Sequence, residues 1–286
     1  MPIPVVLDVD TGVDDALALL LAALHPDLEL HAVTCVQGNT NVEQVARNTL
    51  TVLDAAGARH VPVAIGADRP LVERPGPTRL QHGMDGMADL GRTAPSRRPD
   101  SRPATQLLRD TLNPQAPVVL VTLAPLTNIA ALLAEVPRAV ARISRVVTVG
   151  GFNVAHDPEA AAAVLSALST AGVPVTYYGT DVFYRPLISA EQGGTLPDTP
   201  AGALAADLLR FSFARYGAPA ATIGDAGAVC AVLDPSGLDS MRRTVRVELT
   251  GPDRGRLVDD PAGASVDLAV AIDGPHYANV WLGAFG

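Results

Sequence analysis

The chain has 286 residues, 48% of them hydrophobic, and a formal net charge of −9. That length suits one large α/β domain with a sizeable core, and a scattered acidic excess argues against nucleic acid or an anionic membrane surface as a partner. Its 21 basic residues are all arginine, which excludes a lysine Schiff base, a lysine nucleophile and a phosphate-cradling lysine.

In chain order, "PVVLDVD" reads as a strand, and the segment from Asp14 to Leu24 as a helix ended by His25-Pro26. "LELHAVTCVQG" is a second strand, Val42 to Ala56 a helix closed by Gly57, and "VPVAIG" a short strand. The stretch from Gly66 to Arg102 is rich in Pro, Gly and Arg and too long for a plain connection, a length that tends to be functional or disordered. "APVVLVTLAP" is a strong buried strand and is followed by a helix from Thr127 to Glu135. "ISRVVTVGG" is the next strand, then a helix from Pro158 to Ala171 with Gly172 in the C-terminal cap position, then the strand "VPVTYYGTD". Apolar strands alternating with helical crossovers indicate a mostly parallel open sheet covered on both faces, in one domain over residues 1–286. "TVRVELT" and "SVDLAVAID" alternate at period two and are expected as antiparallel additions or edge strands.

Cys35 and Cys230 lie in apolar stretches without metal or redox spacing and read as buried reduced thiols. With no secretory leader and no apolar run long enough to span a bilayer, a cytoplasmic protein is expected. Asp157 and Asp181 read as helix caps, Trp281 as a core anchor, and Tyr216 as either a lining of a ligand pocket or a packing residue.

Chemistry concentrates where the first strand meets the first helix. Asp8, Asp10, Asp14 and Asp15 fall within eight residues, with Gly12 permitting the turn. Asp8 and Asp10 are on alternate residues at the carboxyl end of a parallel strand, where ligands bind in open sheets. Asp14 and Asp15 occupy the first helical turn, where the dipole favours anions. Capping accounts for one or two carboxylates but not four. Converging like charges call for a hard cation, and oxygen-only ligands suit Ca²⁺ or Mg²⁺.

The run Asp8-x-Asp10-x-Gly12-x-Asp14-Asp15 resembles the opening motif of the nucleoside hydrolase family. "VQGN" ending at Asn39, "HG" at His82-Gly83, "LVTLAPLTNIA", "VVTVGGFN" with "DPEAA", "YGTD" and "GDAGAVCAVLDP" resemble later landmarks of that family in order. The resemblance implies a Rossmann-like nucleoside hydrolase fold, a Ca²⁺ cofactor and cleavage of the N-glycosidic bond of a ribonucleoside or modified ribosyl compound. It implies Asp10, Asp15, Asp225 and the backbone carbonyl of Leu123 as metal ligands. Asp10 would also be the general base, and Asp14, Asn39, His82 and Asn153 would contact the substrate. Asp8 would order the loop. A small-molecule nucleoside is the expected partner, with a homodimer or homotetramer as the assembly.

Two features depart from the family pattern. Gly224 stands before Asp225 where members usually carry a histidine. "GGFN", Gly150 to Asn153, runs straight through where members usually carry about a dozen further residues that supply polar contacts to the ribose 5′ side. Hence altered substrate choice is expected, with an open 5′ side; Arg185 reads as a solvated loop residue, with contact to an anionic 5′ group as the alternative. A non-catalytic ribosyl-binding protein is the second reading and a metal-dependent phosphatase the third, since "DVDTG" also loosely resembles the first motif of haloacid dehalogenase-like phosphatases.

Overall fold

Continuous apolar runs form interior strands here because helices cover both faces of the sheet. A computed structural model describes residues 1–72, 80–93, 95–112 and 117–286. The chain runs β1 (Ile3–Val9), α1 (Val13–Leu24), β2 (Leu28–Cys35), α2 (Val42–Ala55), β3 (Val63–Ile65), α3 (Ala104–Thr111), β4 (Val118–Thr122), α4 (Thr127–Glu135), β5 (Ile143–Val149), α5 (Phe152–His156), α6 (Pro158–Thr170) and β6 (Val175–Tyr178). It continues through α7 (Thr180–Phe183), β7 (Leu187–Ser189), α8 (Ala190–Gly193), α9 (Pro200–Tyr216), β8 (Ala220–Thr222), α10 (Asp225–Leu233), β9 (Leu238–Val247), β10 (Leu257–Asp259), β11 (Ala264–Ile272) and α11 (Gly274–Gly283).

Nine strands form one sheet in the order β10-β9-β11-β6-β5-β4-β1-β2-β3, and β7 and β8 pair in a separate ribbon. From β3 to β6 every pairing is parallel. β9 is antiparallel to both β11 and β10, as the period-two pattern suggested. β11 meets the expectation of antiparallel pairing through β9, but it is not an edge: it also runs parallel to β6 and lies between β6 and β9. Its two exposed residues, Val270 and Ala271, lie past Asp267 and Leu268, where its pairing with β6 ends.

One face of the sheet packs on α1, α2, α9, α10 and α11, the other on α3, α4 and α6. Trp281 is fully buried, and its Nε1 donates to the Leu17 carbonyl at 3.0 Å, clasping α11 to α1. Both cysteines are buried and unbridged. Among the described residues no helix is long and apolar enough to cross a membrane. The segment from Gly66 to Arg102 holds a short 3-10 turn at Leu80–His82; residues 73–79 and 94 of it lie outside the described residues.

Candidate active site

The site forms where β1 and β4 separate at their carboxyl ends. Asp8 is in register with Thr34 of β2 and Thr122 of β4. Thr34 Oγ1 donates to Asp8 Oδ1 at 2.6 Å, and Asn128 Nδ2 donates to the same oxygen at 2.8 Å. Asp8 Oδ2 is buried without a partner among the described residues. Burial pushes the Asp8 carboxyl up to about 7, against which these two donors work. Asn128 also donates to the Cys35 carbonyl and accepts from the Ala67 N–H, so it ties β1 to the loop after β3.

The turn after β1 is held by its own acid. Asp15 reaches back, accepting from the Gly12 N–H at 2.9 Å and the Asp10 N–H at 3.3 Å. Asn39 clamps the next layer: its N–H donates to Asp10 Oδ2 at 2.8 Å and its Nδ2 to Asp15 Oδ2 at 3.4 Å. Gly38 makes this approach possible, since a Cβ there would stand 1.9 Å from Asp10 Oδ2.

Asp225, the first residue of α10, closes the group. One carboxylate oxygen each from Asp14, Asp15 and Asp225 lie within 4.8 Å of one another. Asp10 is outside that trio, but it lines the same cavity beside Asp14 and Asp225. Burial, then the charges of Asp10 and Asp14, hold the Asp15 carboxyl far above its usual range. Burial, then Asp14 and Asp15, do the same to Asp225. Burial first, and the Asp14 charge further down, push Asp10 up to about 8. No arginine among the described residues pairs with any of these four. An all-oxygen, acid-rich and buried donor set without a cationic side chain fits a hard divalent cation such as Ca²⁺.

The central cavity is lined by seven of the eight residues anticipated for the site: Asp10, Asp14, Asn39, His82, Leu123, Asn153 and Asp225. Asp15, the eighth, is fully buried behind it. The Leu123 carbonyl accepts from Asn153 Nδ2 at 2.7 Å, which leaves its second lone pair for another partner. Asn153 Nδ2 also donates to the Val149 carbonyl at 3.3 Å, so Oδ1 is the atom that Asn153 can offer to a ligand hydroxyl.

Beyond Asp14 the cavity opens into a cleft of about 320 Å³ walled by Phe183, Tyr184, Phe211 and Tyr216, with His82 between the two spaces. Tyr216 lines this cleft, on its exposed rim. The Val13 N–H donates to His82 Nδ1 at 3.1 Å, and Asp14 Oδ1 is 3.7 Å from that nitrogen. An accepting Nδ1 means that the neutral ring carries its hydrogen on Nε2.

The loop carrying His82 braces itself. Asp89 accepts from the Met84 and Asp85 N–H groups, and Asp85 accepts from those of Met87 and Asp89. Asn48 fastens this loop to the acidic turn: its Nδ2 donates to the Asp85 carbonyl at 2.9 Å and the Thr11 carbonyl at 3.2 Å. Asn48→Ala is expected to lower kcat/KM about tenfold in wild-type protein and less than twofold in a His82→Ala background, the non-additivity of residues acting through one unit. Equal factors in the two backgrounds would show that Asn48 does not act by placing His82.

Gly224 has an interlocking partner. Its φ is +45°, and a Cβ there would meet Phe183 at 2.7 Å and Asp14 Cβ at 2.9 Å. The Phe183 ring thus occupies the space that a histidine at 224 would need. Arg185 is exposed, as a solvated loop residue would be; its Nε donates to the Asp181 carbonyl at 3.2 Å, and it lines neither cavity. The aromatic walls Phe183, Tyr184 and Phe211, and the braces Asn48 and Asn128, escaped sequence reasoning. "VFY" beside "YGTD" was the available signal for the first two; the buried asparagines left none.

A family model described as "Inosine-uridine preferring nucleoside hydrolase" matches residues 5–279. The non-specific ribonucleoside hydrolase RihC of Klebsiella pneumoniae (strain 342) is 40% identical over 210 residues, 69% of this chain and 67% of that protein. Among solved structures, the purine-preferring ribonucleoside hydrolase from Gardnerella vaginalis superposes with a TM-score of 0.89 at 27% identity, covering 99% of this chain and 98% of that one. An inosine-guanosine nucleoside hydrolase superposes with a TM-score of 0.88 at 25% identity, covering 100% and 99%.

Proposed function

The chain is an N-glycosyl hydrolase of the inosine-uridine preferring nucleoside hydrolase family, and from that premise we propose that it splits ribonucleosides into base and ribose with Ca²⁺ held by Asp10, Asp15, Asp225 and the Leu123 carbonyl. The observation that carries this reading is the buried acidic cluster opening onto an aromatic cleft. Bound Ca²⁺ would keep these carboxylates ionised, fix the vicinal ribose hydroxyls and lower the pKa of a water in the site.

The residues divide the remaining work. Asp10 takes the proton from the attacking water, a role that its place on the cavity wall and its single N–H donor at Oδ2 leave it free to fill. Asp14, whose carboxylate pairs with no arginine among the described residues, accepts from the ribose hydroxyls, and Asn153 Oδ1 supplies a further acceptor. Phe183, Tyr184, Phe211 and Tyr216 stack against the base and exclude water from the bond being cleaved. His82 Nε2–H donates to the departing base, the task for which residue 224 has no side chain.

A panel of inosine, guanosine, adenosine, uridine and cytidine with Ca²⁺ is expected to release free base and reducing sugar in equal amounts. Release of phosphate from an aryl phosphate, or binding of every nucleoside without any free base, would overturn the proposal.

A further inference from the structure

The acidic cavity has a second exit. Phe152, Thr180 and Tyr184 line both the central cavity and a groove of about 810 Å³, and Tyr184 also walls the aromatic cleft. The groove runs between the start of α7 and the turn joining β9 to β10, over a floor of Tyr177, Leu257 and Leu268. β5 passes into α5 through Gly150 and Gly151 alone, so a two-residue link is all that separates groove and cavity at that point. The turn is seated against α5, for a Cβ on Gly255 would lie 2.6 Å from Ala155 Cα.

This inference rests on the reading above. With the base in the aromatic cleft and the diol on the acidic cluster, C5′ extends from C4′, across the ring oxygen from C1′ and the base. A substituent on C5′ then leaves past Phe152 and Thr180 into the groove.

The charges there select among substituents. Arg254 is committed, donating to both carboxylate oxygens of Glu159 at 2.8 and 3.0 Å and to the Leu249 carbonyl. Arg256 pairs with Asp253 three residues earlier on the same turn at 2.8 Å, and its side chain is 74% exposed. Exposed pairs of that kind are weak and easily exchanged. Asp181 is exposed and makes no side-chain hydrogen bond or ion pair among the described residues. The groove therefore offers an available carboxylate at one wall and an exchangeable guanidinium at the other, with no net positive charge among the described residues that line it. A 5′-phosphate would meet Asp181 without a surplus of cations. An arm carrying both an ammonium and a carboxylate can answer both walls.

We infer that this enzyme takes ribosyl compounds extended at C5′ by a zwitterionic amino-acid arm, its ammonium on Asp181 and its carboxylate on Arg256.

The test compares three 5′ derivatives of adenosine, of inosine and of uridine: the homocystein-S-yl, the methylthio and the phosphate. Binding to the Ca²⁺-loaded protein is measured by calorimetry, with base release measured alongside. For the base bound best, the homocystein-S-yl derivative is expected to bind at least tenfold tighter than the phosphate and several-fold tighter than the methylthio compound. Asp181→Asn and Arg256→Gln should each weaken it about fivefold to tenfold and leave the methylthio compound unchanged. Tighter binding of the phosphate, equal binding of all three, or insensitivity to both substitutions would overturn the inference. Failure to release base from any compound, with the binding order as expected, would instead count against the hydrolytic reading.

Discussion

Asp10→Ala is expected to lower kcat/KM by at least about 10³-fold, toward the upper end of what a positioned general base supplies, because in the proposed mechanism it removes a proton acceptor and a cation ligand together. Asp8→Asn, two residues away, is expected to keep turnover within about tenfold. The difference lies in what each carboxylate faces. Asp10 lines the cavity, whereas Asp8 is sealed beneath it, with Thr34 and Asn128 donating to one oxygen. An asparagine oxygen can accept from the same two donors. Its amide nitrogen would replace the unpartnered Oδ2, and a buried donor left unsatisfied costs about 1–3 kcal/mol of stability. The two variants should therefore separate on two axes: steady-state kinetics at saturating Ca²⁺ reports Asp10, and thermal melting reports Asp8. Equal kinetic losses in two folded proteins would show that the roles are divided wrongly.

The second large effect is a dependence of stability on cation and pH together. Burial holds Asp8 near 7 and Asp10 near 8, and Asp15 and Asp225 far above the unfolded value of 3.8. Above about pH 4 the unfolded chain releases protons that the cation-free fold retains. The stability linked to these groups is full below 3.8 and is lost as pH rises through 7 to 8, so the melting temperature of chelator-treated protein should fall from pH 5 to pH 8. Cation binding needs the ionised forms, so the stabilisation by Ca²⁺ should grow over the same interval as protons are released. A ligand at a hundred times its Kd adds about 2.7 kcal/mol, a shift on the order of 5 °C for a chain of this size. Melting curves with EGTA and with millimolar Ca²⁺ at pH 5, 6.5 and 8 test this. A Ca²⁺ shift equal at all three pH values would contradict it, as would a cation-free protein most stable at pH 8.

Local chemistry was legible in the sequence and long-range chemistry was not. The interior strands announced themselves as unbroken apolar runs, and α4 spans Thr127–Glu135 as its pattern suggested. Asp157 caps α6 by accepting from the Ala160 N–H, and Gly172 adopts φ +70° after that helix. The acidic turn was readable because all its carboxylates but Asp225 lie in one stretch. Strand order is different in kind. Nothing within "SVDLAVAID" tells whether it lies at an edge or between β6 and β9, since that depends on partners elsewhere in the chain. The braces were hidden for the same reason. Asn48 and Asn128 are polar residues within helices, which ordinarily face water, and their partners are 37 to 120 residues away. The exchange of Phe183 for a side chain at 224 was also invisible, because it depends on the space around a Cβ that glycine lacks.

Trp281, which joins α11 to α1, has a practical consequence. It is the chain's single tryptophan, so the intrinsic emission excited near 295 nm comes from one dry location. Its indole is bonded to Leu17, two residues along the same helix from Asp15. Fluorescence therefore reports whether the last helix still grips the helix that carries the acids. A blue-shifted spectrum that persists in a catalytically dead variant marks chemistry lost in an intact molecule, and a red shift marks a grip released.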